Sequence, residues 1–378
     1  MEKDKTYDCA IIGGGLAGLC LSIQLADAGR SVVLFEKNEY PFHKVCGEYI
    51  SMESYQFLLS LGLALDNMNL PKIDLLGLSS ERGFMLNSGL DLGGFGITRY
   101  SLDYALSQIA VSKGVMLLQN CKVNKVSRQK DFEINTSVRD FQARLVAGSY
   151  GRYTPAFIQQ SVDYKNSYKK NKNSYIGVKY HIKTKLDPRR IELHNFKNGY
   201  CGISKVDKDL YCLCYLSQAS NLLKYNGDIK QMEEQVLYKN PFLKSYFTES
   251  EFADAKPLAI SNIQFSKKQT NADGIFLLGD AAGSITPLCG NGMSMGMRAS
   301  KLLAQEMLLF YAEKIDFKSL KTNYDQAWNK AFNTRIKAGF YLQHLFGKKW
   351  MTHYTLKMLV RFPLLTKKII SLTHGGIF

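Results

Sequence analysis

Six residues near the start of the chain restrict its fold more than any other stretch: Gly13-Gly14-Gly15-Leu16-Ala17-Gly18. They follow an apolar run, Tyr7 to Ile12, that reads as a buried strand. They open a segment in which Leu16, Leu19, Ile23 and Ala26 recur at helical spacing, with Gly29 where a helix would end. In that context G-x-G-x-x-G has a physical meaning. Gly13 permits a tight turn, and Gly15 lets the backbone approach a pyrophosphate. Gly18 lets helix and strand pack closely, while Leu16 and Ala17 sit in the first helical turn, whose free N–H groups and dipole favour an anion. A second strand, Ser31 to Phe35, leads into Glu36 and Lys37. A carboxylate at Glu36 would accept hydrogen bonds from a ribose diol and repel a 2′-phosphate, which disfavours NADP. The alternative is a glycine-rich turn with no ligand. Strand, helix, Gly29 and Glu36 together favour a dinucleotide, with FAD and NAD both open.

A second glycine-rich element lies far downstream. The apolar strand Ile275 to Leu278 ends in Gly279-Asp280, and a small-residue turn leads through Pro287 into a long helix that begins near Gly290, Gly292 and Met293. Asp280 is placed to accept hydrogen bonds from a ribityl chain. Backbone N–H groups at Gly290, Gly292 and Met293 would face the pyrimidine edge of a flavin, where a helix N-terminus stabilises the negative charge of the reduced ring. Alone, this element could equally be a tightly packed helix start. Paired with the first, it points to FAD.

The pair resembles the flavoprotein family that contains p-hydroxybenzoate hydroxylase-type monooxygenases and geranylgeranyl reductases. The resemblance implies an α/β fold: a discontinuous Rossmann-like FAD-binding domain, an inserted mixed β-sheet substrate domain, and a helical C-terminus. It implies FAD-binding pieces at 1–72, 99–160 and 263–312, a substrate sheet at 73–98 and 161–262, and a basic helical region at 313–378. By the same resemblance, Arg99 matches an arginine that contacts the flavin cofactor, and Val123 a position whose backbone meets adenine. Lys44-Val45-Cys46-Gly47-Glu48 resembles the Cys-Gly-Glu segment of the reductase branch, with Cys46 as the candidate catalytic thiol. Cys46 reads equally as a small packed loop residue, and Glu48 reads first as an ion-pair partner and second as a general acid.

Departures from the family pattern bear on the reaction. Tyr150 stands in Gly148-Ser149-Tyr150-Gly151 where the hydroxylases place an Asp for pyridine-nucleotide handling. The Trp-x-Trp-x-Ile-Pro motif of flavin halogenases is missing. Tyr200 survives from the aromatic stretch of the reductases, without its Trp and Phe-Pro. The expected function is FAD-dependent redox chemistry on a hydrophobic lipid-like or polyketide-like substrate, first as C=C reduction. The alternatives are hydroxylation of a phenolic or polyketide ring, and a non-catalytic FAD-binding membrane-associated protein. No second dinucleotide motif is present, so NAD(P)H would visit transiently or an electron-donor protein would serve.

The rest of the sequence narrows partners. Charged residues form 22% of the 378, too few for global disorder, and hydrophobic residues form 46%, enough for a large core. A core strand beginning at Tyr7 leaves no room for a signal peptide, and the cysteines lack CxxC or zinc spacing. A cytoplasmic protein with reduced thiols and no metal is expected, either free or at the inner face of the membrane. The net charge of +16 is largely C-terminal, because nine Lys or Arg and no acid follow Asp325. On a helix, His353, Lys357 and Arg361 would share one face and Met351, Tyr354, Met358 and Phe362 another. Such a helix packs on the core or lies on an anionic membrane surface. No stacking platform or motif for nucleic acid accompanies the lysines between 165 and 172. Further helices are expected after caps at Ser51 and Ser101, a loop over 37–50, and alternating strands over 175–217.

Overall fold

The structure, a computed structural model, describes residues 5–158, 174–263, 265, 268–283, 292–345, 348–371 and 375–378. Two sheets organise it. The first has eight strands, with the parallel series Ile275–Leu277, Asp140–Gly148, Thr6–Ile12, Val32–Phe35 and Met116–Leu118 side by side. Thr6–Ile12 and Val32–Phe35 are buried on both faces along most of their length and read as apolar runs, whereas Asp140–Gly148 alternates until its buried end, Leu145–Gly148. The Thr6–Ile12 strand pairs with Val32–Phe35 on one side and with Asp140–Gly148 on the other. The strand order therefore reverses at Thr6–Ile12, while the strands stay parallel, and the carboxyl ends there open a crevice of the kind that binds ligands in such sheets.

The second sheet has nine strands and is mostly antiparallel. Its single parallel pairing among the described residues joins Arg190–Phe196 to Lys72–Ser79. The alternation expected over 175–217 is present. Ile176, Val178, Tyr180, Ile182, Leu213 and Tyr215 turn to one face and pack on Met232, Val236, Leu243 and Phe247 from the helices Ile229–Val236 and Pro241–Glu249. The opposite face looks towards the first sheet. The fold class expected from the sequence is the one observed.

Local details differ from the sequence reading. The expected loop over 37–50 ends in a strand, Tyr49–Ser51, that pairs with Met85–Gly96 in the second sheet. Ser51 accepts a hydrogen bond from the Glu53 N–H at the head of a short 3₁₀ turn, and the α-helix proper covers only Tyr55–Ser60. Ser101 is not a cap. The helix runs Arg99–Ser112, and Thr98 accepts the Ser101 N–H at its start. Residue 98 is the better cap because its backbone is still extended (φ −64°, ψ 145°). At the C-terminus, Lys349–Arg361 and Pro363–Ser371 are helices that pack on the second sheet through Leu356, Leu359, Ile369 and Ile370. No helix among the described residues is long and apolar enough to cross a membrane.

Candidate functional site

The first glycine loop turns where the sheet opens. Gly13 has φ +103°, and a Cβ there would sit 2.5 Å from the Ser149 carbonyl oxygen. A Cβ on Gly18 would sit 2.3 Å from the Gly13 carbonyl oxygen, so this glycine is needed for packing alone. Gly15 is different: the nearest atoms to its would-be Cβ are 3.8 and 3.9 Å away, and the residue lines a cavity. Bare backbone at that point faces ligand space, and the helix Leu16–Asp27 starts directly behind it with no side-chain cap on its first N–H groups. Glu36 is buried and faces the same space. Its carboxylate accepts the Gly14 N–H at 3.0 Å and both Asn38 donors, which fixes its orientation. Lys37 and Val123 line the cavity close by.

The downstream element closes the opposite side. Gly279, in the left-handed region at φ +61°, carries Asp280 to the cavity wall, and Asp280 is exposed there. The helix Gly292–Tyr311 packs against Leu16–Asp27 and presents Gly292 and Met293 to the cavity. Gly290 lies outside the described residues. Apart from Gly18, which packs behind the loop, the sequence-predicted residues that the structure describes line one cavity of about 1000 Å³, at the upper end of the usual ligand range.

Arg99 lines it too, but its guanidinium is engaged. Nε and Nη2 clamp Asp103 at 2.8 and 2.7 Å, and Lys44 approaches the same carboxylate at 3.1 Å. Burial alone would raise the Asp103 carboxyl, but the two cations more than offset it and hold it low. Cys46 stands at the junction of the two halves, its Sγ 3.6 Å from the Met293 Sδ. Burial pushes its thiol up, so it is protonated at neutral pH and is not a thiolate nucleophile.

Sequence reasoning missed a buried cluster behind Cys46. Glu48, fully buried, accepts the Arg99 N–H at 2.9 Å, Lys179 Nζ at 2.8 Å, and pairs with His181 Nε2 at 2.6 Å. Burial would raise this carboxyl, yet His181 and Lys179 pull it below its ordinary value. Glu48 is therefore a fixed anion and a poor general acid, in keeping with its first reading as an ion-pair partner. His43, Glu48 and His181 bring ligand atoms within 4.8 Å of one another, a spacing that metals use. The Lys179 ammonium already supplies the counter-charge there. The available signal was Lys179 and His181 on the face of a strand opposite to Ile176, Val178, Tyr180 and Ile182.

Beyond Cys46 the cavity becomes apolar. Leu193, Tyr200, Leu216, Ile260 and Phe265 form one wall, with Leu356, Leu359, Ile369 and Ile370 from the C-terminal helices opposite.

Comparison with known proteins agrees with this architecture. The family described as "NAD(P)-binding Rossmann-like domain" matches residues 11–45, the glycine loop through Glu36. The conditioned medium factor receptor 1 of Dictyostelium discoideum is 24% identical, over 98% of this chain and 74% of that protein. Squalene monooxygenase of Candida glabrata is 23% identical over 87% of this chain and 78% of its own. A digeranylgeranylglycerophospholipid reductase of Methanocaldococcus jannaschii is 22% identical over 78% and 75%. Among solved structures, the flavin-dependent brominase Bmp2 superposes with a TM-score of 0.78 over 99% of this chain and 94% of that one, at 18% identity. At that identity the superposition speaks for the fold alone. The chain has the flavoprotein fold that FAD-dependent monooxygenases and halogenases share.

Proposed function

We propose that this chain is an FAD-dependent oxidoreductase that saturates a carbon–carbon double bond in an apolar, lipid-like or polyketide-like substrate. The observation that carries the reading is the continuity of one cavity. It joins a polar cradle (Gly15, Glu36, Asp280, the Gly292 helix start) to an apolar lobe whose named walls carry no charged side chain. The cradle suits FAD: Glu36 would take a ribose diol, bare backbone at Gly15 the pyrophosphate, and Asp280 the ribityl chain. Bound there and reduced by the electron donor, the flavin would supply hydride to one carbon of the double bond. Cys46 is placed to give the proton that the other carbon needs, because its thiol is held protonated at the junction of cradle and lobe. The resulting thiolate would be stabilised by the Arg99 guanidinium and reprotonated from solvent. Electrons come from NAD(P)H visiting transiently or from an electron-donor protein. The walls exclude water and hold the double bond in line.

A second reading is oxygen-dependent oxidation of the same kind of substrate, which the likeness to squalene monooxygenase favours. Activation of a phenol ring fits less well, since a phenolate would need a charged or basic partner in the lobe. The reduced protein, mixed anaerobically with a polyprenyl lipid, separates these. Reoxidation without oxygen, with a saturated product, supports the proposal. Reoxidation only after oxygen is admitted supports the second reading. If no lipid accelerates reoxidation under either condition, FAD is not used catalytically on such substrates. Cys46→Ser should slow anaerobic reoxidation and change its pH profile while leaving FAD bound.

A further inference from the structure

The C-terminal helix pair has two faces, and the outward one is the unusual one. Inward, Leu356, Leu359, Ile369 and Ile370 wall the apolar lobe. His353 is buried there as well, with its Nδ1 3.1 Å from the Ser80 Oγ, so it does not share an exposed face with Lys357 and Arg361. Outward, large apolar side chains stand in solvent: Trp350 is 58% exposed, Tyr354 57%, Phe362 56% and Leu364 85%. Lys357, Arg361, Lys367 and Lys368 are exposed around them, and Arg82 stacks over Trp350 at 4.1 Å. Asp91, from the adjacent strand, lies 3.8 Å from Lys367. Large aromatics and aliphatics on a surface rimmed by cations form an apolar patch that water does not favour.

We propose that this face docks on an anionic lipid surface. The chemistry favours that occupant over a second copy of the chain, because symmetric pairing would set Lys357, Arg361, Lys367 and Lys368 against their own kind. Tyr354 and Trp350 suit the headgroup level, and Phe362 and Leu364 the acyl boundary below it. The same two helices wall the cavity on their other side, so docking places the apolar lobe one helix thickness from lipid. An oily substrate can then enter without crossing water. That last step deepens the proposed function and rests on it, whereas docking itself does not.

Co-sedimentation of the purified full chain tests the idea, with vesicles of phosphatidylcholine alone or mixed with phosphatidylglycerol, at low and high salt. Binding should require the anionic lipid and weaken with salt. Each cation lost should reduce partitioning roughly fivefold, so Lys357→Glu with Arg361→Glu should reduce it by ~25-fold or more. Phe362→Ser with Leu364→Ser should also weaken it, and circular dichroism shows whether each variant remains folded. Failure of the folded protein to bind anionic vesicles at low salt overturns the proposal. So does a concentration-dependent dimer that Phe362→Ser with Leu364→Ser dissolves, since a second copy would then cover the face. A colourless protein that binds vesicles would refute the flavin reading and leave docking standing. A yellow protein that ignores vesicles would do the reverse.

Discussion

Three glycines in one loop have three separate jobs, and single substitutions distinguish them. A methyl group at Gly18 would meet the Gly13 carbonyl oxygen at 2.3 Å, and Gly13 itself has a positive φ, so Ala at either should destabilise the protein whether or not a ligand is present. At Gly15 a methyl group meets nothing closer than 3.8 Å. Gly15→Ala should therefore leave the unfolding midpoint of the ligand-free protein nearly unchanged while weakening FAD by tenfold or more, read by flavin fluorescence titration. A loss of stability equal to that of Gly18→Ala would mean that the loop is only a packing device. Behind it, Glu48→Gln would leave the Lys179 ammonium buried without its carboxylate. Chemical denaturation should show a loss of about 3–5 kcal/mol. The glycine positions and Glu36 were legible in the sequence because the motif and the acid belong to one strand–helix–strand unit, in which Glu36 accepts the Gly14 N–H; that Ser149 backs Gly13 was not. The Glu48–Lys179–His181 cluster was not, because Glu48 ends the loop before Tyr49–Ser51 while Lys179 and His181 sit on the strand Tyr175–Lys183, 131 and 133 positions away.

The helix Ile229–Val236 carries a titrating group into the second sheet. Glu233 accepts hydrogen bonds from the hydroxyls of Tyr180 and Tyr215, each at 2.8 Å, and burial raises its pKa from 4.5 to about 7. The folded state therefore holds this proton more tightly than the unfolded chain. Between about pH 4.5 and 7 the unfolded chain has released it and the folded protein has not, so stability falls as pH rises through that window, by roughly 3 kcal/mol in all. Glu233→Gln should remove this loss. Thermal melts should show the variant gaining on the parent at pH 8 relative to pH 5, and an unchanged difference at both pH values would contradict the assignment. The Arg99–Ser112 helix offers a second test. Thr98 accepts the Ser101 N–H and also bonds Asp207, so Thr98→Ala should cost about 1–2 kcal/mol. The sequence reading placed this cap at Ser101, three residues late. Both residues are good caps by type, and Asp207, which holds the Thr98 hydroxyl at 3.0 Å, comes from another strand connection.

At the scale of the molecule, a nucleotide-type sheet and a second, mostly antiparallel sheet face each other across one cavity, and the C-terminal helices complete its apolar end. The strand alternation over 175–217 announced a sheet, and the helices Ile229–Val236 and Pro241–Glu249 cover one face of it. It could not announce that the C-terminal helices turn their larger apolar side chains outward, because both faces of Lys349–Arg361 carry apolar residues and only the tertiary position decides between them. The whole arrangement has a purpose only if the cradle holds a flavin. The direct test is the visible spectrum and FAD stoichiometry of the purified protein, before and after adding free FAD. The structure predicts a yellow protein, or one that becomes so, with one FAD per chain released on unfolding. A folded protein that stays colourless and binds no FAD would contradict the account at its centre.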